Sequence, residues 1–222
     1  ALPAAARDGT WEGENALRGE PDTDIPVSQV ILAHRDQDGE LAFYSTIARD
    51  ITEHKRYETE LQYQAMHDSL TGLPNRSLLL DRLNTEMRRV GRSQRLLALI
   101  FLDLDNFKSS NDNYGHDAGD QILVAATTAI RAGLRTGDML VRWGGEEFIL
   151  ILPSTYCEEA GKVLARLREQ GLGMRPDGAP VTASIGLAER TVDSSNDWRK
   201  LVEISDQRMY AAKQSGKDRI IA

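Results

Sequence analysis

The apolar positions of this chain fall into short continuous runs and longer amphipathic stretches. The run from Arg95 to Leu102 (RLLALIFL) has the length of a buried strand. Apolar residues at 139–141 and 148–152 predict two further strands, joined by a tight turn at Gly144-Gly145. The remaining pattern predicts helices at about 77–90, 118–134, 158–170 and 197–214, and strands at 180–187 and 219–221.

The order of these elements predicts the fold class. From the strand at 95–102 onward the core order is βαββαβ, which is that of a ferredoxin-like α+β fold. We therefore expect a mainly antiparallel sheet with its helices on one face. In such a fold the end of the first strand lies beside the central hairpin turn, so residues from both places can form one site.

The first 67 residues have a different pattern. Residues 27–33 and 41–48 are strand-like and flank a polar turn, which predicts a hairpin. Residues 51–67 predict a helix with Thr52 as its N-cap. The pattern divides the chain into three parts, residues 1–50, 51–67 and 68–222.

Two adjacent carboxylates, Glu146 and Glu147, follow the glycines of the predicted turn. Adjacent acids repel each other, and burying them is costly unless a cation lies between them. The turn alone is consistent with two interpretations, a metal or phosphate site and an acidic turn exposed to water.

A second acidic pair follows the strand at 95–102. Because side chains alternate across a strand, Asp103 and Asp105 are expected on the same face near its end. Residues 106–120 are polar and contain glycine, and we expect them to form a loop whose amide groups hold phosphates. Since Mg²⁺ binds a few carboxylates together with substrate phosphate oxygens, these features suggest a nucleotide site. For Asp105 itself a turn hydrogen bond is the preferred interpretation.

Several motifs together resemble a known family, the GGDEF domain of diguanylate cyclases, over roughly residues 66–222. In the family's order and spacing they are Asp68 to Arg76 (DSLTGLPNR), Asp103 to Lys108 (DLDNFK), Asn111-Asp112, Gly115-His116, Gly119-Asp120, Gly144 to Phe148 (GGEEF), Ser184 to Gly186 (SIG) and Tyr210 to Lys213 with Gly216-Lys217. The resemblance implies a ferredoxin-like core of the nucleotidyl cyclase/polymerase palm type. It also implies a reaction in which two GTP condense to cyclic di-GMP and two pyrophosphates.

The resemblance implies roles for individual residues. Asp103 and Glu146, with the Leu104 carbonyl, would hold Mg²⁺ or Mn²⁺ on the GTP phosphates. Glu147 would be a further catalytic residue, while the general base is not identifiable. The residues that would bind substrate are Asn111 and Asp120, which match the guanine readers, and Phe107, Lys108, Lys213 and Lys217. The family usually has Arg where Lys217 stands, so a bidentate fork is replaced by a point charge.

Arg135 and Asp138 form an Arg-x-x-Asp motif just upstream of Gly144, at the offset where the family has its inhibitory product site. Arg can fork onto guanine, and Asp can accept from the Watson–Crick edge. Arg166 would be an accessory cation. The alternative is a helix-terminal Arg followed by a turn Asp. The same motif occurs at 35–38, where we assign it no role.

One GTP site cannot complete the implied reaction, because each 3′-hydroxyl attacks the α-phosphate of the other GTP. A two-fold homodimer brings two half-sites together.

Residues 1–50 resemble the C-terminal part of a PAS sensor domain without most of its ligand cavity, so we expect no PAS cofactor. Residues 51–67 resemble the signalling helices that join PAS and GGDEF domains. A small β appendage and a simple linker are the alternatives for these segments.

Charge and composition narrow the function classes. A net charge of −7 over 222 residues argues against a general nucleic-acid surface. No apolar stretch approaches the ~20 residues that span a bilayer. We therefore expect no membrane contact by this segment and a cytoplasmic location, with a membrane anchor upstream in the full-length protein left open. The single cysteine, Cys157, precludes an intrachain disulfide.

Functions of other classes stay open at this stage. They are a catalytically inactive receptor for cyclic di-GMP or GTP, a nucleotidyl cyclase with another base preference, and a PAS-driven interaction module without catalysis. The intact set of Asp103, Glu146, Glu147, Asn111 and Asp120 argues against the first, and Asp120 argues for guanine in the second.

Overall fold

The computed structural model describes residues 1–19, 23–93, 97–194 and 197–222. It divides into two compact units, Ala1–Tyr63 and Gln64–Ala222. Arg95 and Leu96, which the apolar pattern places at the start of a strand, lie outside the described residues. No helix in the described part of the chain is long and apolar enough to cross a membrane.

The first unit is a small antiparallel sheet with one helix on it. Its elements are α1 (Leu2–Asp8), β1 (Thr10–Arg18), β2 (Asp24–Arg35), β3 (Leu41–Asp50) and the start of α2 (Thr52–Met66). The strands follow one another in the order β1-β2-β3, which confirms the predicted hairpin. The side chain that accepts from the first amide of α2 is Asp50, 2.8 Å from the Thr52 nitrogen, so the assignment of Thr52 as N-cap was wrong.

The second unit contains the predicted α+β core. Its elements are α3 (Arg76–Ser93), β4 (Leu97–Leu104), α4 (Phe107–Tyr114), α5 (His116–Ala132), β5 (Met139–Gly144), β6 (Glu147–Pro153), α6 (Cys157–Gln170), β7 (Ala183–Glu189), α7 (Trp198–Gln214) and β8 (Arg219–Ile221). The sheet order is β5-β6-β4-β7-β8. All pairs are antiparallel except β7 with β8. The βαββαβ order and the mainly antiparallel sheet are thereby confirmed.

The two helices of the βαββαβ core, α5 and α6, lie on one face of this sheet as expected, but α3 and α7 cover the other face, so the expectation of a single covered face was wrong. Every residue of β4 is buried. On one face Ile100 and Leu102 pack with residues of α5 and α6, and on the other Leu99 and Phe101 pack with α3 and α7. A strand that is apolar at every position needs cover on both sides, which is the physical reason for the second helical layer.

The polar segment after β4 is helical rather than a phosphate-binding loop, which corrects the expectation for residues 106–120. It forms α4 and α5, interrupted at Gly115, which has a φ of +84°. A left-handed φ is accessible to glycine without steric cost, so the chain can turn there within one residue. As a result, Asn111 and Asp120 lie on two successive helices.

Candidate functional site

The candidate site begins at the carboxyl end of β4, where Asp103 lies between two neighbouring strands. Its Cα partners are Glu147 on β6 and Ser184 on β7. The Asp103 side chain is only 4% exposed, and Lys213 of α7 donates to its Oδ2 at 2.6 Å. Strand pairing and the packing of α7 on the sheet therefore bring together an acid and a base that are 110 residues apart in sequence.

The electrostatics of this cluster oppose ionisation of the acids. Burial raises the pKa of the Asp103 carboxyl from 3.8 to about 6, against the opposing hydrogen bond and charge of Lys213, and Glu146 and Glu147 raise it further. Burial also raises the pKa of Glu147, where Asp206 and Glu146 add repulsion and Lys213 opposes it. The site is thus short of positive charge when its carboxylates are ionised.

The turn between β5 and β6 lies one residue later in the chain than its sequence suggested. Gly144 is the last residue of β5 and Glu147 the first of β6, so Gly145 and Glu146 alone form the turn. Gly145 has a φ of +51°, and the Glu146 carbonyl accepts from the Leu104 amide at 3.2 Å. This contact fixes the turn beside the end of β4.

An arginine that the sequence argument did not single out holds the same turn from the other side. Arg142 donates through Nε and Nη2 to the Gly145 carbonyl at 3.0 and 2.8 Å. Its Nη1 contacts both carboxylate oxygens of Asp68, at 2.9 and 3.0 Å. Asp68 belongs to the quoted motif at 68–76, but no pattern in the sequence pairs it with a residue 74 positions away.

The donor set fits an open cation site with few protein ligands. Across the described ranges, no three His, Cys, Asp or Glu side chains converge closely enough to form a closed metal centre. Asp103 and Glu146 nevertheless lie close enough for the charge of Glu146 to raise the pKa of Asp103, the Leu104 amide donates to the Glu146 carbonyl, and burial raises the pKa of Glu147. Such a set suits Mg²⁺, which usually takes one or two carboxylates and completes its shell with water and substrate phosphate.

Two of the predicted residues, Asn111 and Phe107, lie against Gly119 between α4 and α5. The Asn111 Oδ1 atom is buried and has no hydrogen-bond partner among the described residues. A Cβ on Gly119 would stand 1.8 Å from that oxygen and 3.1 Å from Cζ of Phe107. Gly119 therefore allows the amide of Asn111 to lie against α5. Phe107 is in the core under the two helices, and Asp120 is exposed.

The predicted phosphate-binding lysines lie in three different settings. Lys108 is exposed on α4, and Lys213 pairs with Asp103. Lys217, in the turn between α7 and β8, donates to Oδ1 of Asn106 at 2.6 Å. Asn106 directly precedes α4, so Lys217 and Lys108 are placed at the same end of the site.

Arg135 and Asp138 lie beside a cavity of about 320 Å³ that is lined also by Arg131 and Pro74. Nη2 of Arg135 donates to the Pro153 carbonyl at 2.8 Å, and its Nε donates to Asp138 at 3.1 Å. The Arg135 side chain is 60% exposed, whereas that of Asp138 is 4% exposed.

Arg166 is not among the residues that line this cavity, and Arg131 lines it instead. Arg166 donates to the carbonyl of Gly133, close to Arg135 in the chain. The structure thus brings Arg135 and Asp138 together, whereas the Arg166 guanidinium donates to the Gly133 carbonyl and does not line the cavity.

Comparison with known proteins adds independent information. A family model described as "Diguanylate cyclase, GGDEF domain" matches residues 65–219. Diguanylate cyclase DgcM of Escherichia coli (strain K12) is 37% identical over 182 residues, covering 79% of this chain and 43% of that protein. Diguanylate cyclase DgcP of Pseudomonas aeruginosa is 37% identical over 170 residues, covering 75% of this chain and 25% of that protein. The chain thus spans less than half the length of these curated relatives.

Solved structures give a consistent picture. Diguanylate cyclase SiaD of Pseudomonas aeruginosa, in complex with its activator SiaC, matches with a TM-score of 0.65 and 38% identity, over 76% of this chain and 66% of that one. The GGDEF domain of DgcB from Caulobacter crescentus, in complex with c-di-GMP, matches with a TM-score of 0.64 and 30% identity, over 72% of this chain and 96% of that one.

Proposed function

Because the chain belongs to the GGDEF-domain family of diguanylate cyclases, we propose that it condenses two GTP into cyclic di-GMP with release of two pyrophosphates. One observation carries the proposal. At the end of β4 the buried Asp103 lies near Glu146, Glu147 and Lys213, so that one lysine faces three carboxyl groups and does not balance their charge when they are ionised. A divalent cation with its attached triphosphate would supply the missing positive charge.

The metal would be Mg²⁺ or Mn²⁺, held by Asp103, Glu146 and the Leu104 carbonyl. When bound, it supplies a Lewis acid that neutralises charge on the α-phosphate. The protein's own contribution is orientation. Asp103 is fixed by two strand ladders, and the Glu146 turn is held by the Leu104 amide and by Arg142. Glu147, which adjoins Glu146 and whose pKa burial raises, would be a further catalytic residue at the metal site.

Guanine recognition falls to Asn111 and Asp120. The unpartnered Oδ1 of Asn111 can accept from the exocyclic amine of guanine, and the Asp120 carboxylate can accept from N1–H and N2–H₂. Adenine has no proton on N1 and no amine at C2, so ATP would leave the Asp120 carboxylate without these donors, and discrimination should be large. Lys108, Lys213 and Lys217 would neutralise the triphosphate. Phe107 supports this site from below as part of the core.

Turnover would require a homodimer, since one half-site holds one GTP. In this proposal the helix α2 controls dimerisation, and the support is that none of its residues is buried and that Tyr57, Leu61 and Tyr63 are exposed on it. The PAS assignment of residues 1–50, the signalling role of α2 and the cytoplasmic location stay predictions that accompany this proposal.

Product inhibition would act through Arg135 and Asp138. In support, both line a cavity away from the β4 cluster, and the relative DgcB is described in complex with c-di-GMP. The buried Asp138 would orient Arg135, whose exposed guanidinium could exchange its contact to the Pro153 carbonyl for guanine. Arg166 is an accessory cation in this proposal.

The proposed activity is tested by incubating the chain with GTP and Mg²⁺, or with ATP and Mg²⁺, and resolving products chromatographically. We expect cyclic di-GMP from GTP and little product from ATP. Glu146→Gln should abolish turnover while circular dichroism stays that of the wild type. A folded wild-type dimer that consumes no GTP with either metal would refute the proposal.

A further inference from the structure

Asp105 is a buried carboxylate that the proposed chemistry does not use. It directly follows β4 and is 5% exposed. Its Oδ1 accepts from the Ser184 hydroxyl at 2.7 Å, and its Oδ2 accepts from the Thr182 hydroxyl at 2.9 Å and from the Asp218 amide at 3.0 Å. Three donors from two separate segments therefore converge on one side chain.

These contacts distinguish Asp105 from Asp103. Both oxygens of Asp105 are satisfied by neutral donors of the protein, which is the condition for keeping a buried carboxylate without a metal. The backbone is fixed as well, since the Asp105 amide donates to the Thr182 carbonyl at 2.8 Å. Asp105 consequently serves as an anchor, as its sequence context suggested, but the anchored group is a distant turn.

The turn that Asp105 anchors has an uncommon backbone. Gly216, Lys217 and Asp218 have consecutive φ values of +114°, +63° and +44°. Lys217 and Asp218 carry side chains, and such residues occupy the left-handed region only when surrounding contacts hold them there. One contact is the amide of Asp218 on Asp105, and another is Arg168, which donates to the Asp218 carbonyl at 3.2 Å.

The same turn carries a proposed phosphate-binding cation. Lys217 donates to Oδ1 of Asn106, and Asn106 is itself left-handed, with a φ of +58°. Asn106 follows Asp105 directly in the chain. Asp105 thus holds the backbone amide of Asp218, and its neighbour Asn106 holds the side chain of Lys217.

We infer that Asp105 is a positioning residue for Lys217, because its carboxylate locks the Gly216–Asp218 turn against the ends of β4 and β7 and so holds the Lys217 ammonium where the triphosphate binds. The inference rests on the proposed function, which assigns Lys217 to phosphate. This role of Asp105 explains how Lys217 can bind phosphate where the family usually has Arg. Lysine lacks the rigid fork of arginine, and the fixed backbone of the turn positions its ammonium group instead.

The test compares three variants for binding of a non-cyclisable GTP analogue with a methylene between the α- and β-phosphates, measured by titration calorimetry with Mg²⁺. Asp105→Ala removes the acceptor for the Asp218 amide and should weaken binding about tenfold, the equivalent of one lost hydrogen bond of moderate strength. Asp105→Asn can keep its oxygen toward Asp218 and turn its amide toward the Ser184 hydroxyl, so it should bind within about threefold of wild type. Ser184→Ala removes a bond to Asp105 but leaves the turn contact, and should bind like wild type.

Coupling to Lys217 separates positioning from general damage to the fold. In Lys217→Met, the further change Asp105→Ala should weaken analogue binding less than twofold, because the ammonium that Asp105 positions is already gone. If Asp105→Ala does not fold, the Asp218 amide can be replaced by an ester through semisynthesis of the C-terminal segment. That change deletes the donor alone and should reproduce the loss of binding.

The outcomes are distinct. Unchanged binding in folded Asp105→Ala or in the ester, or equal losses in the presence and absence of Lys217, would overturn the positioning role. Wild-type protein that neither binds the analogue nor forms product would overturn the proposed function, and this inference with it. Normal wild-type activity together with a wild-type-like Asp105→Ala would overturn this inference alone.

Discussion

Replacing Asp103 with asparagine should stabilise the ligand-free protein at neutral pH while removing its proposed activity. The burial that raises the pKa of Asp103 from 3.8 to about 6 means that the folded state resists ionisation of this group. The difference corresponds to at most about 3 kcal/mol at pH 7. Asparagine has nearly the same shape without the charge, so the variant avoids this cost.

The predicted difference in stability between Asp103→Asn and wild type depends on pH. Below about pH 3 the Asp103 carboxyl is protonated in both states, and wild type and Asp103→Asn should be equally stable. Between pH 4 and pH 6 the unfolded wild type loses its proton first, so its stability falls relative to the variant as pH rises. At pH 7 the variant should exceed wild type by up to about 3 kcal/mol, which is several degrees in Tm for a domain of this size.

Urea unfolding without divalent cations, followed by circular dichroism at about pH 3 and at pH 7, measures both differences. Asp105→Asn is the matched control, because that carboxylate is equally buried but already accepts from three donors and should gain nothing. Adding Mg²⁺ should narrow the gap at pH 7 by stabilising wild type alone. A variant that is less stable than wild type at pH 7, or a gap of equal size at both pH values, would refute the electrostatic argument.

Three further predictions concern substrate, product and assembly. Gly119→Ala should raise the KM for GTP at least tenfold, because its Cβ would overlap Asn111 Oδ1. The control Gly161→Ala has nothing within 4 Å of the new Cβ and should leave the KM unchanged, so equal KM values for the two variants would refute this account of Gly119. Arg135→Ala should weaken inhibition by cyclic di-GMP about tenfold or more and keep the initial velocity near that of wild type, and equal inhibition constants would mean that the Arg-x-x-Asp offset is coincidental. The rate should rise more steeply than linearly with enzyme concentration where sedimentation shows mostly monomer, and constant specific activity there would contradict the half-site argument.

The parts of the fold that depend on local pattern could be predicted from the sequence. The apolar run ending at Leu102 predicted a central buried strand, and the hairpin flanking Gly145 was placed correctly in order and approximate length. The segment at 107–114 was missed because its Asn, Asp and Ser residues have low helix propensity, and packing of Phe107 against α5 overrides it.

The contacts that organise the site could not be predicted, because they join residues far apart in sequence. Arg142 reaches Asp68 across 74 positions, and Asp105 reaches Asp218 across 113. A single sequence contains the motifs at both ends but no signal that links them. The second helical layer was missed for a related reason, since apolar periodicity shows that a helix has a buried face but does not show which side of a sheet it covers.

The double burial of β4 sets a hierarchy of local opening within the site. Amides of β4 are bonded on both edges and lie between two cores, so they should exchange with solvent only when the whole unit unfolds. The Glu146 turn and the Lys217 turn are each held by a few side-chain bonds, and their amides should open at much lower free energy. Asp103 therefore lies on the most protected strand of the unit, and local opening of either turn need not disturb the strand that carries the acid.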